Sequence, residues 1–281
     1  MLDDKRFGIY YYDYLNGNLG LANYFISTNQ TKPLSNLVDE LHKNAIQDSI
    51  SGGIKWKSNT QHKENTYDYN ISLSHGMSSI IVMLSKIYNM GIQEAKCKQM
   101  INNATRYILS QKLPEGKHLS LFGTMALESL KFFNNSRLGW CYGDLCVAIA
   151  LWRASIALNS KDLFDKSQEI FLHASKRRSL KQNNIMDACF CHGSSGIAYI
   201  FNKIYGYTNK TEYKDAADYW INITLMQSCS GHYPAGYRKW QGDNNYISEY
   251  GILEGIAGIG LSLLSFVSHN MFDWDDCLLL S

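Results

Sequence analysis

Two kinds of helical pattern alternate along the chain. One is amphipathic. From Leu34 to Ile46, Glu94 to Leu109, Thr124 to Phe133, Lys161 to Lys176 and Glu212 to Met226, apolar residues return at helical spacing among charged and polar ones, which predicts helices with one face in a core and the other in water. The other pattern is a short phrase: a glycine, small residues, then an apolar run. It occurs five times, as Leu15-Asn16-Gly17-Asn18-Leu19-Gly20-Leu21-Ala22, Leu73-Ser74-His75-Gly76-Met77-Ser78-Ser79-Ile80, Trp140-Cys141-Tyr142-Gly143-Asp144-Leu145-Cys146-Val147, Phe190-Cys191-His192-Gly193-Ser194-Ser195-Gly196-Ile197 and Leu253-Glu254-Gly255-Ile256-Ala257-Gly258-Ile259-Gly260. Each copy reads as a tight turn opening onto a buried helix. Successive copies lie about 50 to 67 residues apart, the length of one long helical hairpin with its connections, so the chain is a repeat protein. The second glycine of the phrase lets neighbouring backbones approach near the helix start. Ser79 and Cys146 replace it in two copies, which predicts looser packing there.

Polar connectors separate these patterns, notably Asp48 to Tyr69 and Ser228 to Tyr246, with Gly, Asn, Lys and aromatic residues in no clear period. Their aromatic side chains suit either the mouth of a ring that touches substrate or a loop packed on its own tyrosines. Composition fits a single helical domain over 1–281, with 45% apolar and 19% charged residues and only three prolines. A formal net charge of +2, without a basic run of five residues, gives no electrostatic case for nucleic acid or for a polybasic membrane anchor. The start, Met1-Leu2-Asp3-Asp4-Lys5-Arg6, does not read as a signal peptide, and the longest apolar stretch, Gly251 to Val267, is interrupted by Glu254. Seven cysteines, an odd number, then point to reduced thiols and a cytoplasmic location.

Cys141, Cys191 and His192 are the residues with most chemistry to offer. Two thiolates and an imidazole are donors that Zn²⁺ prefers, and three protein ligands leave a fourth position open for water or a substrate thiol. Adjacent Cys191 and His192 cannot share one helix face, so they require a helix end or a loop. Three buried side chains with no metal would also satisfy the spacing, because free cysteine is among the most buried residue types. Cys189 and Cys146 lie close in sequence and read as core.

Arg137-Leu138-Gly139-Trp140-Cys141-Tyr142-Gly143, then Phe190-Cys191-His192-Gly193, then Leu253-Glu254-Gly255-Ile256-Ala257-Gly258, in this order and at this spacing, resemble the lanthionine synthetase C-like proteins, the cyclase family of lantibiotic biosynthesis. Trp274-Asp275-Asp276-Cys277-Leu278-Leu279-Leu280 resembles the family's C-terminal end. The segment Asp13-Tyr14-Leu15-Asn16-Gly17 resembles a motif that usually follows a much longer leader, and only twelve residues precede it here. The resemblance implies an all-α fold, an α/α toroid of seven helical hairpins in the family. About five are countable in this chain, so the expectation is a ring that is open, a ring closed by a partner or by a second copy in a homo-oligomer, or a sequence that is a fragment of a longer product. It implies Zn²⁺ on Cys141, Cys191 and His192, with His75 as the catalytic histidine, Asp13 as the acidic active-site residue, Arg137 as the active-site arginine and Tyr142 beside the first zinc cysteine. The implied reaction adds a cysteine thiolate to dehydroalanine or dehydrobutyrine in a dehydrated precursor peptide. A dehydratase and an export transporter are the implied partners, at the inner face of the membrane. A non-catalytic zinc module that binds a thiol or peptide, and an assembly subunit of a synthetase complex, are the alternatives from other functional classes.

Overall fold

The computed structural model describes residues 12–58, 67–130, 135–229, 231, 233–268 and 273–281. Its helices, in chain order, are α1 (Asn18–Ser27), α2 (Thr31–Asn44), α3 (Met77–Asn89), α4 (Glu94–Ser110), α5 (Asp144–Leu158), α6 (Lys161–Ser175), the short α7 (Leu180–Asn183), α8 (Ser194–Thr208), α9 (Thr211–Met226) and α10 (Ile256–Ser268). All five glycine phrases therefore open a helix. These are α1, α3, α5, α8 and α10, and they form the inner row. The amphipathic spans supply the outer layer: α2 packs on α1, α4 on α3, α6 on α5 and α9 on α8, while α1 meets α3, α3 meets α5 and α10 meets α8 along the inner row. Helices facing one another in two concentric layers give the α/α toroid that the family resemblance implies.

Burial follows the two patterns. Every residue of α5 from Asp144 to Trp152 is buried, as is every residue of α8 from Ser194 to Phe201, whereas α2 buries only Leu34, Leu37, Val38 and Leu41. Trp140, Phe171, Phe190, Phe201 and Trp220 are among the side chains of one continuous core, each contributing roughly 1.5–3 kcal/mol or more by leaving water. At Gly196 an added methyl would overlap the carbonyl of Phe190, so the second glycine of the phrase is set by backbone approach. The looser packing expected at Ser79 and Cys146 is absorbed: both are fully buried, and their side chains donate to the carbonyls of Gly76 (2.7 Å) and Gly143 (3.0 Å).

Two expectations need correction. The span Thr124 to Phe133 is not an outer helix: it holds a single 3₁₀ turn, Leu127–Ser129, and residues 131–133 lie outside the described residues. Its groups are taken by distant partners. Ala126 N–H donates to Tyr69 O (2.8 Å), Ser129 Oγ accepts from Tyr69 N–H (2.9 Å), and Glu128 receives Lys55 (2.6 Å) and the Tyr107 hydroxyl (2.5 Å). Periodicity cannot register bonds of that range. Second, the helix begun near Leu34 stops at Asn44, and Ile46 belongs to the antiparallel pair β1 (Ile46–Gln47) and β2 (Ile54–Lys55). The later aromatic connector likewise folds into a hairpin, β3 (Lys239–Gly242) with β4 (Asn245–Ile247).

The C-terminal segment packs among the inner helices. Asp275 is fully buried and accepts from Lys203 Nζ (2.5 Å) and the Tyr199 hydroxyl (2.8 Å), both on α8. Asp276 receives Lys86 of α3 (2.5 Å) and Asn23 of α1 (3.3 Å). Leu278, Leu279 and Leu280 are buried behind them. The two end helices of the row keep apolar side chains in water, Leu21 and Tyr24 on α1 and Leu264 and Val267 on α10.

Candidate functional site

Backbone hydrogen bonds stitch the five turns together in sequence order. Leu15 N–H donates to Ser74 O (3.3 Å), Leu73 N–H to Cys141 O (3.3 Å), Trp140 N–H to Cys191 O (2.9 Å) and Cys191 N–H to Leu253 O (2.7 Å). Gly139 allows the third and fourth turns to touch, since a Cβ there would stand 3.1 Å from Cys191 O and from His192 Cα. The consequence is that residues just before each glycine, Leu15 in the first copy and Ser74-His75, Cys141-Tyr142, Cys191-His192 and Leu253-Glu254 in the others, face one cavity of about 680 Å³, completed by Arg137, Glu249, Gly251 and Ile252.

On one wall the ligand atoms of Cys141, Cys191 and His192 all lie within 4.8 Å of one another, with both cysteines buried and the histidine half-buried. The hydrogen bond from Cys191, with His192 and Arg137 nearby, pulls the Cys141 thiol well below its ordinary range. The same bond and burial push the Cys191 thiol up. Two cysteine sulfurs and one imidazole this close together suit a thiophilic divalent ion. Cys189 and Cys146 stand outside the cluster, buried and with thiols raised by burial.

On the other wall Asp13 and His75 meet. Asp13 Oδ2 lies 2.7 Å from His75 Nδ1, while its Oδ1 accepts from Asn16 N–H at 2.8 Å. One buried carboxylate thus closes its own turn and holds a histidine 62 residues away. With Nδ1 engaged, Nε2 is the ring nitrogen left for a ligand in the cavity. Tyr142 stands between the walls, its ring 6.1 Å from that of His75. Burial, then the charge of Cys141, raise its phenol, against the pull of Asn70 and Ser74. All seven residues singled out from the sequence are brought to this region, six as cavity lining and Asp13 behind His75.

A family model, "Lanthionine synthetase C-like protein", matches residues 1–279. The chain belongs to that family. Among solved structures it is similar to a nisin cyclase, with a TM-score of 0.72 and 19% identity over 96% of this chain and 66% of that one. It also resembles a cellobiose 2-epimerase from Bacillus thermoamylovorans, with a TM-score of 0.54 and 14% identity over 90% of this chain and 70% of that one. Both likenesses are of fold, the α/α toroid. The chain spans 66% of the length of that cyclase. No helix among the described residues is long and apolar enough to cross a membrane.

Sequence reasoning assigned no role to Glu254, Lys239 or Asn70. Glu254 Oε1 lies 3.9 Å from His192 Nε2, and its other oxygen pairs with Lys239. Asn70 is buried, and its side-chain oxygen accepts from Ser72 N–H (2.8 Å). A signal for Glu254 was present: it occupies the position just before the glycine that His75, Tyr142 and His192 occupy in their own copies.

Proposed function

We propose that this family member is a zinc-dependent peptide cyclase, built as one toroid domain over residues 1–281, that forms thioether rings by adding cysteine thiols to dehydroalanine or dehydrobutyrine. The observation that carries this reading is that one cavity holds both the Cys141–Cys191–His192 cluster and a histidine already gripped by a carboxylate. The donor set fits Zn²⁺, which when bound supplies thiol acidification and a fixed place for sulfur.

The chain's own residues account for the rest. In the net reaction the S–H bond breaks, an S–Cβ bond forms at the expense of the alkene, and a proton reaches Cα, so no outside reductant or oxidant is needed. His75 Nε2 is the group suited to hold and return that proton. Asp13 fixes the ring's tautomer and stabilises its protonated form. Arg137, half-buried and lining the cavity, stabilises the negative charge that grows on the substrate carbonyl oxygen after attack. Tyr142 borders both walls and limits the orientations a peptide can take. Leu15, Ile252 and Leu253 give the cavity an apolar side that admits a dehydrated segment. The substrate on this reading is a dehydrated precursor peptide in the cytoplasm, handed over by a dehydratase and passed on to an export transporter.

The test is thioether formation on a peptide carrying one dehydroalanine and one cysteine, followed by mass after alkylation of remaining free thiols. Zinc-loaded protein should protect the thiol. His75→Asn should keep its zinc and lose roughly a hundredfold or more in rate, the usual scale of a general acid or base. Equal rates in the two proteins would remove the assignment of His75.

A further inference from the structure

Beyond the cluster itself, one contact chain leads away from it. Glu254 lies against His192 but outside the group of mutually close ligand atoms, so it is a neighbour of the centre rather than a member. Its second oxygen pairs with Lys239, the first residue of β3, and this carboxylate raises the lysine's proton affinity. A second tether runs in parallel. The buried carboxylate of Asp187 accepts from Cys189 N–H (3.0 Å) and from Trp240 N–H (2.8 Å), joining the turn that bears Cys191 to the next residue of the same strand. Tyr237, just before β3, packs with Ala188 and Ile259. The chain leaving β4 becomes the wall made of Glu249, Gly251 and Ile252.

We propose that Glu254 and Lys239 are positioning residues that couple the metal centre to the β3–β4 hairpin, so that loading His192 with metal orders the hairpin and the cavity wall that follows it. This rests on the zinc reading above. A histidine bound to metal through one ring nitrogen keeps an N–H on the other, and a carboxylate commonly receives it and fixes the ring. Nε2 faces Glu254, and Glu254 is held in place by Lys239. An empty centre leaves the imidazole free to turn and removes that reason for Glu254 to stay aligned. The hairpin is then kept by the Asp187 bonds and the packing of Tyr237, without the link through Glu254 to His192.

The experiment compares wild type, Glu254→Gln and Lys239→Met, all full-length, by chelator competition for zinc and by amide hydrogen exchange with and without zinc. Glu254→Gln should weaken zinc binding by about 10- to 100-fold, the usual effect of removing such a partner, and Lys239→Met should move it in the same direction by less. In wild type, zinc removal should speed exchange across residues 240–247 and leave the β1–β2 pair, whose ion pairs run to Asp48 and Glu128, unchanged. Zinc affinity in Glu254→Gln within about threefold of wild type, or hairpin exchange indifferent to zinc, would overturn the coupling alone. Wild type that binds no zinc would overturn the metal reading with it.

Discussion

Replacing Asp275 by asparagine should destabilise the protein more than almost any other isosteric change, and in a pH-dependent way. Asp275 is fully buried and Lys203 nearly so, their charged atoms 2.5 Å apart, with the Tyr199 hydroxyl and Ser281 sharing the carboxylate. Without the carboxylate the ammonium of Lys203 is a buried, unpaired charge, which costs about 3–5 kcal/mol. A ceiling follows from the alternative: neutralising a lysine of ordinary pKa at pH 7 costs about 5 kcal/mol, at 1.36 kcal/mol for each pH unit. Burial already lowers the Lys203 pKa in the wild type, and loss of Asp275 lowers it further. A base with a depressed folded pKa destabilises the fold at every pH below that value, and the penalty fades as pH rises towards the unfolded value. The loss in Asp275→Asn should therefore be largest at neutral pH and shrink by roughly 1.4 kcal/mol per unit towards pH 9. Adding Lys203→Met should restore most of it, because the pair is then absent rather than broken. Urea unfolding followed by tryptophan fluorescence at pH 7 and pH 9 measures both effects. A loss independent of pH, or additive losses in the double variant, would refute this account of the C-terminal segment.

Two further outcomes follow from the fold. Asp48 is held below the ordinary carboxylate range first by the Ser51 N–H and then by the Ser51 hydroxyl and Lys55, so its contribution is present above about pH 4 and lost as pH falls through the lowered folded value; Asp48→Asn should flatten melting temperature between about pH 2 and 5, and an unchanged acid limb would count against it. Gly196→Ala forces a methyl onto the Phe190 carbonyl and should cost about 1–3 kcal/mol, with weaker zinc binding because Phe190 precedes Cys191; a stabilised variant would contradict the close approach.

The repeat phrase carried most of what was legible. Its apolar run marked the inner helices, because an all-round apolar helix has nowhere to go but between neighbours. Its two residues before glycine also marked the cavity wall, and there the sequence reading stopped short: Cys141, Tyr142, Cys191, His192 and His75 were singled out, while Glu254 in the same position was passed over. Thr124 to Phe133 misled because helical spacing is local, whereas the bonds that unwind it reach Tyr69, Lys55 and Tyr107. The pairing of Asp275 with Lys203 is likewise a contact across 72 residues, invisible to any period. Asp13 divides its carboxylate in a way no period registers: one oxygen closes its own turn on Asn16 and the other lies against His75, 62 residues away.

The central claim is an open zinc centre on Cys141, Cys191 and His192 that accepts a substrate thiol. X-ray absorption at the zinc edge of the purified, full-length protein tests it most directly, first alone and then with a cysteine-containing dehydrated peptide. The account predicts two sulfur ligands, one imidazole and one further light atom in the free protein, with a third sulfur replacing the light atom when the peptide is added. Four protein ligands in the free state, or a sulfur count that does not change with peptide, would contradict it.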